Sequence, residues 1–313
     1  YWYFADEPAL HRALDRIQPQ IVEASSPWRS ALMAARWRGA PRSLIMHADI
    51  LSAYAYRWLE PVFTRATIDR RVERYWDHLR QLGLAFDSVV CASMDLSTRL
   101  VAGGVKNVVT NPMGVEPDRF SPSLRDLALR ADLLQKCALP PQAHLLAAVG
   151  RLSSEKRWPM VIEAVTAAAR IHPIGLIMLG EGRDRRAVLS AIGGNPHIRL
   201  FEPNRDRTAF ARILASVDTL IHGCEAETFC MVAAEARASG VPVIVPNRGG
   251  AADHALDGGG WTYKMSDARS ACATILHSLQ ARQTPLPPTR TIRDHFEELF
   301  ADYSQLISRR RAA

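Results

Sequence analysis

The sequence predicts an α/β protein built from parallel βαβ units, and three observations support this fold class. Apolar stretches of strand length alternate with longer stretches of helical periodicity, which is the pattern of parallel strands joined by crossover helices. The chain has 313 residues, enough for about two domains. Hydrophobic residues make up 48% of the chain and charged residues 23%, both near the averages of globular proteins. We therefore expect two successive α/β domains.

The first part of the chain carries the first set of alternating elements. Leu10, Leu14 and Ile17 share one face of a helix, so their spacing predicts a helix there. Short apolar runs between the helical stretches predict strands. In chain order we expect a helix at 8–17, a strand at 20–24, a helix at 29–38, a strand at 43–46, a long helix at about 52–82, a strand at 88–92, a helix at 97–102 and a strand at 107–110.

The alternation restarts after a break near 117–123, where Pro, Asp and Ser crowd together and predict a linker. Pro159 suits the first turn of a helix, where its missing N–H costs nothing, and Gly240 suits a helix end. In this second half we expect strands at 144–149, 175–179, 198–201, 219–222 and 241–245, helices at 159–171, 184–192, 208–215, 232–239, 267–279 and about 292–309, and a Pro-rich turn at 285–288.

Composition excludes several classes of protein. No apolar run is long enough to span a bilayer. The five cysteines form no Cys-x-x-Cys pair and no zinc-type pairing with His, so we expect reduced thiols and a cytoplasmic protein. The formal charge of +7 is spread along the chain without the clustered basic and aromatic residues of a nucleic-acid site. Nucleic acid is therefore not an expected partner.

A first candidate site is the loop 150–156, with the sequence GRLSSEK, between a predicted strand and a predicted helix. In open parallel sheets, ligands bind beyond the carboxyl ends of the strands. Arg151 offers a planar fork and Lys156 a point charge, a combination that suits phosphate oxygens. The alternative is a solvated loop with two ordinary charges, and the loop alone leaves both interpretations open.

A second stretch, 223–245, carries two acids separated by seven residues. Glu227 precedes a predicted helix and Glu235 lies about two turns inside it. The free amides near Phe229, Cys230 and Met231, together with the helix dipole, predict an anion site, and Glu235 could bind vicinal hydroxyls such as those of a ribose. The alternative is that both acids only stabilise the helix start and surface.

Together with three further segments, these two stretches resemble the retaining glycosyltransferases of family 4. Residues 150–156 resemble the family's Gly-Arg-Leu-x-x-Glu-Lys motif, and 227–243 its Glu-x-x-Gly-x-x-x-x-Glu-Ala-x-Ala-x-Gly-x-Pro-Val motif. Residues 111–122 resemble its linker, 178–182 its Val-Gly-x-Gly turn, and 249–258 its Gly-Gly-x-x-Glu…Asp-Gly segment. The resemblance is strong over about 110–280 and loose over 1–110. It implies the GT-B architecture, in which two Rossmann-like α/β domains face a cleft.

The resemblance also implies a function and a set of site residues. It implies transfer of a sugar from a UDP- or GDP-linked donor to a glycan, lipid or small-molecule acceptor, with retention of anomeric configuration. Positively charged side chains beside the leaving diphosphate, rather than a metal ion, would assist this transfer. The sequence has no Asp-x-Asp triplet. The implied catalytic residues are His47, Arg151, Lys156 and Glu227, and the implied donor-binding residues are Gly150, Arg151, Lys156, Gly180, Leu200, Phe201, Glu227, Phe229, Cys230, Met231, Val232 and Glu235.

Within this set, Arg151 and Lys156 would neutralise the diphosphate, Glu227 would hold the donor sugar and Glu235 the ribose. Leu200 and Phe201 would line the base pocket, backbone amides near 229–232 would contact sugar and phosphate, and His47 would lie near the sugar.

Departures from the family pattern bear on these expectations. Cys230 stands where the family has a Gly that lets the backbone approach the sugar, and Glu202 replaces a Gly beside the expected base pocket. Family members carry further residues before the first helix, so we expect an N-terminally incomplete first domain. We predict a partial acceptor-side domain at 1–118, a donor-binding domain at 119–288, and a C-terminal helix at 289–313 that packs back toward the first domain.

Two alternatives stay open at this point. The chain could be a truncated, catalytically inactive homologue that binds only a nucleotide or a partner. The stretch 54–84, rich in aromatic residues and arginine, could lie on an anionic membrane at the inner face, or it could be a core-facing helix with a solvated arginine face.

Overall fold

The computed structural model describes residues 6–281 and 289–312. The described chain divides into two units, with breaks between Pro112 and Met113 and between Arg293 and Asp294. The predicted boundary after residue 118 lies a few residues beyond the first break, and the predicted turn at 285–288 lies outside the described residues. In the part of the chain that is described, no helix is both long and apolar enough to cross a membrane.

The first unit is built on a parallel sheet. Its elements before the first break are α1 (Glu7–Ile17), β1 (Val22–Ser25), α2 (Arg29–Arg36), β2 (Arg42–Met46), α3 (Arg57–Leu59), α4 (Arg65–Arg71), α5 (Glu73–Ala85), β3 (Ser88–Cys91), α6 (Met94–Ala102) and β4 (Val108–Thr110). The sheet order is β1-β2-β3-β4, so each strand pairs with the next one in the chain. Leu44 of β2 and Val89 of β3 are buried in the core of this unit together with Trp76 of α5.

The single long helix predicted over 52–82 is wrong. A π-helical turn at Leu51–Tyr56 leads into α3. The helical structure is then interrupted between Leu59 and Arg65, where α4 begins, and α5 follows α4. Pro61 lies in this interruption, and because proline has no backbone N–H it cannot donate the hydrogen bond that would continue the helix. The side chain of Thr64 then caps α4 by accepting a hydrogen bond from the Thr67 amide. Helical periodicity alone does not reveal such an interruption.

This stretch has both buried and exposed aromatic residues. Trp76 and Leu79 are buried in the core, as the core-facing interpretation expects. Tyr54, Trp58 and Val62 are exposed, at 64%, 67% and 74%, and the Arg57 guanidinium lies over the Trp58 ring. The part before α4 therefore carries exposed aromatic and apolar side chains next to an arginine.

The second unit is built on a six-stranded parallel sheet. Its elements are α7 (Leu127–Lys136), β5 (His144–Val149), α8 (Trp158–Ala168), β6 (Ile174–Leu179), α9 (Arg185–Ile192), β7 (Ile198–Phe201), α10 (Arg207–Ser216), β8 (Thr219–Ile221), α11 (Met231–Ala238), β9 (Val243–Pro246), α12 (Gly250–His254), β10 (Gly260–Tyr263) and α13 (Ala268–Gln280). The sheet order is β10-β9-β8-β5-β6-β7. This is the doubly wound order of dinucleotide-binding folds. All strands are parallel, but successive strands are added on one side of β5 up to β7 and on its other side from β8 onward, so the strand order switches between β5 and β8.

The four central strands of this second sheet, β9, β8, β5 and β6, are largely buried, as expected for a parallel sheet covered on both faces. All six residues of β6 are buried, and α8 packs Trp158, Val161 and Ile162 onto the same core. Burial of such side chains stabilises the fold by about 1.5–3 kcal/mol each. The sheet therefore forms a rigid base for the loops at its carboxyl edge.

The last helix, α14 (Ile292–Ala312), belongs for most of its length to the first unit. Leu299 and Tyr303 pack against Val90 of β3, with Ile21 and Ile45 alongside. The Tyr303 hydroxyl donates a hydrogen bond to the Glu23 carboxylate of β1. These contacts fix α14 on the four-stranded sheet.

Both units have the predicted α/β class, since each contains a parallel sheet joined by helices.

Candidate functional site

A cluster of charged side chains in the second unit lies at the carboxyl ends of β5 and β8. These are the neighbouring strands between which the sheet order reverses, and ligands of doubly wound sheets bind in the crevice at such a point. The loop after β5 carries Arg151 and Lys156, and the loop after β8 carries His222 and Glu227. The fold thus brings the two predicted motifs together.

Lys156, Glu227 and His222 form a hydrogen-bonded cluster there. The Lys156 ammonium donates to Oε1 of Glu227, and the same oxygen lies 3.0 Å from Nε2 of His222. The Lys156 and Glu227 side chains are 14% and 21% exposed, so a ligand can still reach them. The predicted association of Lys156 with the donor site is compatible with this position. His222 was missed by sequence reasoning, which placed it as the last residue of the predicted strand 219–222, whereas β8 ends at Ile221 and His222 begins the loop.

The cluster perturbs the protonation of its members. Burial by itself would raise the pKa of Glu227, but the hydrogen bond and charge of His222 and Lys156 lower it to about 2. Burial opposes the Lys156 charge, yet the Glu227 carboxylate outweighs it and raises the lysine pKa. Burial lowers the pKa of His222, so a neutral imidazole donates its Nε2 proton to the carboxylate. The cluster therefore holds an ionised lysine and an ionised glutamate at neutral pH.

A second ion pair joins the same two loops directly beside this cluster. Nε of Arg157 lies 3.0 and 2.8 Å from the two carboxylate oxygens of Glu225, and the Arg157 Nη2 also donates to this group. Arg157 has a left-handed backbone, with φ 50° and ψ 35°, which is uncommon for a residue with a side chain. The bidentate pair contributes geometric specificity and fixes the loop that carries Lys156. Sequence reasoning singled out neither residue.

A cavity of about 700 Å³ opens beside the cluster along the carboxyl ends of β5, β6 and β7. Its lining consists of Val149, Gly150, Arg151, Leu179, Gly180, Glu181, Gly182, Pro203, Asn204, Arg207, Phe210 and Glu235. This volume is within the range of small-molecule sites. Gly180 is needed for the close approach of two loops, since a Cβ there would lie 2.0 Å from the carbonyl oxygen of Gly150.

The predicted base-pocket residues lie at the end of β7. Leu200 packs against the core of the unit, and Phe201 is the last residue of the strand. The residues that line the cavity at this place are Pro203 and Asn204, a little further along the chain. Side chains of a strand end alternate between the two faces of the sheet, whereas the following loop can turn toward the cavity.

Glu235 lies in the wall of this cavity and is nearly buried. Its side chain is 7% exposed, and it accepts a hydrogen bond of 2.5 Å from Nη2 of Arg207. Burial raises the pKa of Glu235, and Arg207 counteracts that effect. The carboxylate is thus placed where it can accept hydrogen bonds from a bound ligand, as its predicted ribose-binding role requires. Arg207 was not singled out from the sequence.

Arg151 lines the same cavity but is mostly exposed, at 71%. Its Nη2 donates to Glu155 at 3.0 Å, while its backbone oxygen accepts from the Trp158 indole at 2.9 Å. The backbone is therefore fixed and the guanidinium lies at the surface. Exposed ion pairs of this kind are weak, so an anionic ligand can compete for the Arg151 side chain.

The segment before α11 contains the remaining predicted donor-binding residues. Phe229 and Cys230 are buried, whereas Met231 is 39% exposed and Val232 is intermediate. Cys230 caps the helix with φ 73° and ψ 73°, the left-handed conformation for which glycine is best suited. A glycine would adopt this backbone conformation without the strain that the Cβ of Cys230 introduces.

Three side chains at this place could in principle ligate a metal. One ligand atom each of His222, Glu227 and Cys230 lies within 4.8 Å of the others. The fit to a divalent cation is poor, because the Lys156 ammonium already hydrogen-bonds to Glu227. Burial also raises the pKa of Cys230 well above its ordinary value, which disfavours the thiolate that a metal needs. Glu227 is therefore better suited to pair with the Lys156 ammonium than to ligate a metal ion.

His47 belongs to the other unit. It directly follows β2 and is exposed, so it occupies the carboxyl end of a parallel strand. Its implied role near the sugar stays a prediction.

Comparison with known proteins finds a matching family model and similar sequences. Residues 130–287 match the family model described as "Glycosyl transferases group 1". The chain is 31% identical over 245 residues to a "GDP-mannose-dependent alpha-mannosyltransferase" of Mycobacterium tuberculosis, covering 77% of this chain and 59% of the relative. It is 30% identical to a "GDP-mannose-dependent alpha-(1-6)-phosphatidylinositol dimannoside mannosyltransferase" of the same species, covering 76% and 59%. The chain thus spans about three fifths of the length of these relatives.

Solved structures resemble the chain over nearly its whole length. A glycosyltransferase from Rickettsia africae superposes with a TM-score of 0.70 at 16% identity, covering 96% of this chain and 80% of that one. At 16% identity this similarity is evidence about the fold alone. It confirms the predicted GT-B fold.

Proposed function

Because this chain belongs to the group 1 glycosyl transferases, we propose that it transfers a glycosyl group from a nucleoside diphosphate sugar to an acceptor hydroxyl. The observation that carries the proposal is the combination of the Lys156–Glu227–His222 cluster with the adjoining cavity lined by Arg151 and Glu235. A nucleoside diphosphate sugar needs cations for its diphosphate and carboxylates for its hydroxyls. This edge of the sheet supplies both.

Each side chain has a role in the proposed reaction. Arg151 and Lys156 neutralise the diphosphate and stabilise the charge that develops on it as it leaves. Glu227, held ionised by Lys156, accepts hydrogen bonds from hydroxyls of the donor sugar, and Glu235 accepts them from the ribose. The acceptor oxygen bonds to the anomeric carbon while the bond from that carbon to the diphosphate oxygen breaks, and the hydroxyl proton passes to the departing diphosphate. We propose attack from the face of the leaving group, which retains the anomeric configuration and needs no metal.

GDP-mannose is the first donor to test. Both of the relatives above are named as GDP-mannose-dependent, and this supports a guanine nucleotide over the UDP alternative. The acceptor class is a glycan, a lipid or a small molecule. A lipid acceptor is supported by the name of the second relative and by the exposed side chains of Tyr54, Trp58 and Val62 beside Arg57. Such a mixture of aromatic and cationic groups suits peripheral contact with an anionic membrane.

The test uses the full-length protein. Thermal-shift assays with GDP, UDP and ADP identify the nucleotide, and turnover of the matching sugar donor is then followed by release of the nucleoside diphosphate. We expect Glu227→Gln to reduce turnover by at least about a hundredfold, the loss typical of one electrostatic contact in a transition state. Glu163→Gln, an exposed glutamate on α8, is the matched control.

Absence of both nucleotide binding and turnover would refute the proposal. The alternative of an inactive homologue is not favoured, and it corresponds to a different result, in which a nucleotide raises the melting temperature but no donor is turned over.

A further inference from the structure

The position of Arg207 gives the cavity a feature that the predicted motifs do not contain. Arg207 is the first residue of α10. Its guanidinium carbon lies 5.2 Å from the ring centroid of Phe120 and 5.4 Å from that of Phe210. These two rings meet edge to face, with their centroids 6.2 Å apart. Cation–π contacts with these two neighbouring rings favour one position of the guanidinium in the cavity wall.

From that place Arg207 reaches Glu235, which lies 28 residues further along the chain. Its Nη2 donates to one carboxylate oxygen, Oε1, at 2.5 Å. Within residues 6–281 and 289–312, no hydrogen bond occupies the other oxygen, Oε2. The Arg207 side chain is itself 45% exposed and lines the cavity. The pair therefore presents a carboxylate oxygen and guanidinium N–H groups side by side to a ligand.

The charge of Arg207 matters because Glu235 is buried. Burial raises the pKa of Glu235, Arg207 lowers it through its hydrogen bond and its charge, and Glu116 raises it. The other charged groups that line the cavity are Arg151 and Glu181, and their charges oppose each other. Arg207 is thus the main cation that favours an ionised Glu235. An ionised carboxylate accepts hydrogen bonds from two hydroxyls, whereas a protonated one must use part of its capacity as a donor.

We propose that Arg207 is a specificity-determining positioning residue for the ribose of the donor nucleotide. Its guanidinium, packed against Phe120 and Phe210, holds the Glu235 carboxylate in the geometry that binds a vicinal diol. This inference rests on the proposed function, because it takes the nucleoside diphosphate as the ligand of the cavity. It adds to that function a residue outside both predicted motifs, with a role in distinguishing ribose from deoxyribose.

The test measures binding of GDP and UDP, each beside its 2′-deoxy counterpart, by isothermal titration calorimetry. A hydrogen bond to a charged group is worth about 1.5–3 kcal/mol, so loss of the 2′-hydroxyl is expected to weaken binding to the wild type at least about tenfold. Arg207→Ala should weaken binding of the ribonucleotide by a similar factor and weaken the 2′-deoxynucleotide less, because the latter has only its 3′-hydroxyl to bind Glu235. Arg207→Lys, which restores charge without the fork, should give an intermediate preference.

A pH series separates this role from simple packing. In Arg207→Ala, ribonucleotide affinity should rise with pH, because Glu235 must lose its proton before it can accept from the diol. In the wild type it should vary less over the same range. Arg205→Ala, an exposed neighbour outside the cavity lining, is the matched control and should resemble the wild type.

The possible results are distinguishable. If the wild type binds a nucleotide but Arg207→Ala keeps the full preference for the ribose, the inference is wrong while the proposed function stands. If the wild type binds neither nucleotide, the proposed function fails and the inference fails with it. Because Arg207 is nearly half exposed, its variants should fold, and their melting temperatures verify this.

Discussion

Replacement of Lys156 by methionine should destabilise the second unit strongly, because it leaves the Glu227 carboxylate without its cation. Lys156→Met keeps most of the length of the side chain and removes only the charge and its hydrogen bond. The Glu227 carboxylate then stays at a largely buried position, and among residues 6–281 and 289–312 the neutral His222 is its remaining side-chain hydrogen-bond donor. Breaking a buried ion pair on one side costs about 3–5 kcal/mol.

The perturbed pKa of Glu227 gives a second estimate of this energy. It falls from 4.5 to about 2, and at about 1.4 kcal/mol per pH unit this shift corresponds to about 3 kcal/mol. His222 contributes the larger part of that shift and Lys156 the smaller part, so the shift is an upper bound on the energy of the lysine pair, and both side chains of that pair retain some contact with water. We therefore expect Lys156→Met to lower the free energy of unfolding by about 2–3 kcal/mol at pH 7.

Urea unfolding of the full chain, followed by circular dichroism, measures this loss. Lys136→Met is the matched control, because Lys136 forms an exposed ion pair with Asp132 at 2.7 Å, and it should cost less than about 0.5 kcal/mol. In a Glu227→Gln background the loss from Lys156→Met should shrink by more than about 1 kcal/mol. Equal losses from the two lysine variants, or an unchanged loss in the Glu227→Gln background, would refute the reasoning.

Three further outcomes follow from the same structure. The pair at Glu227 has a depressed pKa in the folded state, so its contribution is full above about pH 4.5 and is lost as pH falls toward about 2; the stability difference between wild type and Glu227→Gln should shrink as pH falls from about 5 to about 2.5, and a difference as large at pH 2.5 as at pH 5 contradicts the assignment. Of the five cysteines, only Cys272 is not buried, so a thiol reagent should modify at most one group in the native protein and five in denaturant, and rapid modification of two or more would contradict the burial. Gly180→Ala places a Cβ 2.0 Å from a backbone oxygen and should cost about 1–3 kcal/mol in urea unfolding, with weaker nucleotide binding; a loss below about 0.5 kcal/mol would show that the loops can separate freely.

The sequence predicted the sheet of the second unit better than its remaining elements. Strands β5 and β7 were predicted at their observed bounds, because each is a short and mostly apolar run that ends before Gly150 or Glu202. Helix α7 was not predicted, since only Leu133 and Leu134 are buried along it and its periodicity is correspondingly weak. Strand β10 was missed because only Tyr263 of its four residues is buried.

The candidate site was predictable only in part, for a related physical reason. Glu227 and Lys156 could be predicted because each lies in a short local motif, and the order of these motifs along the chain is evident from the sequence. Their partners depend on which strands are neighbours, and the sheet order is a property of the whole unit. The Arg207–Glu235 and Arg157–Glu225 pairs join residues 28 and 68 positions apart, and no local pattern of charges indicates such pairing.

The two ion pairs that join the loops after β5 and β8 also limit how this protein can be recombined with its relatives. Lys156 and Arg157 are adjacent in one loop, and Glu225 and Glu227 are nearly adjacent in the other. A crossover between positions 157 and 225 would take the cations from one parent and the carboxylates from the other. If the second parent lacks either acid, the chimera contains a buried cation without its counter-charge, at a cost of about 3–5 kcal/mol. Residues 156–227 should therefore be exchanged as one block, and a library of chimeras should show few stable members with a breakpoint inside it.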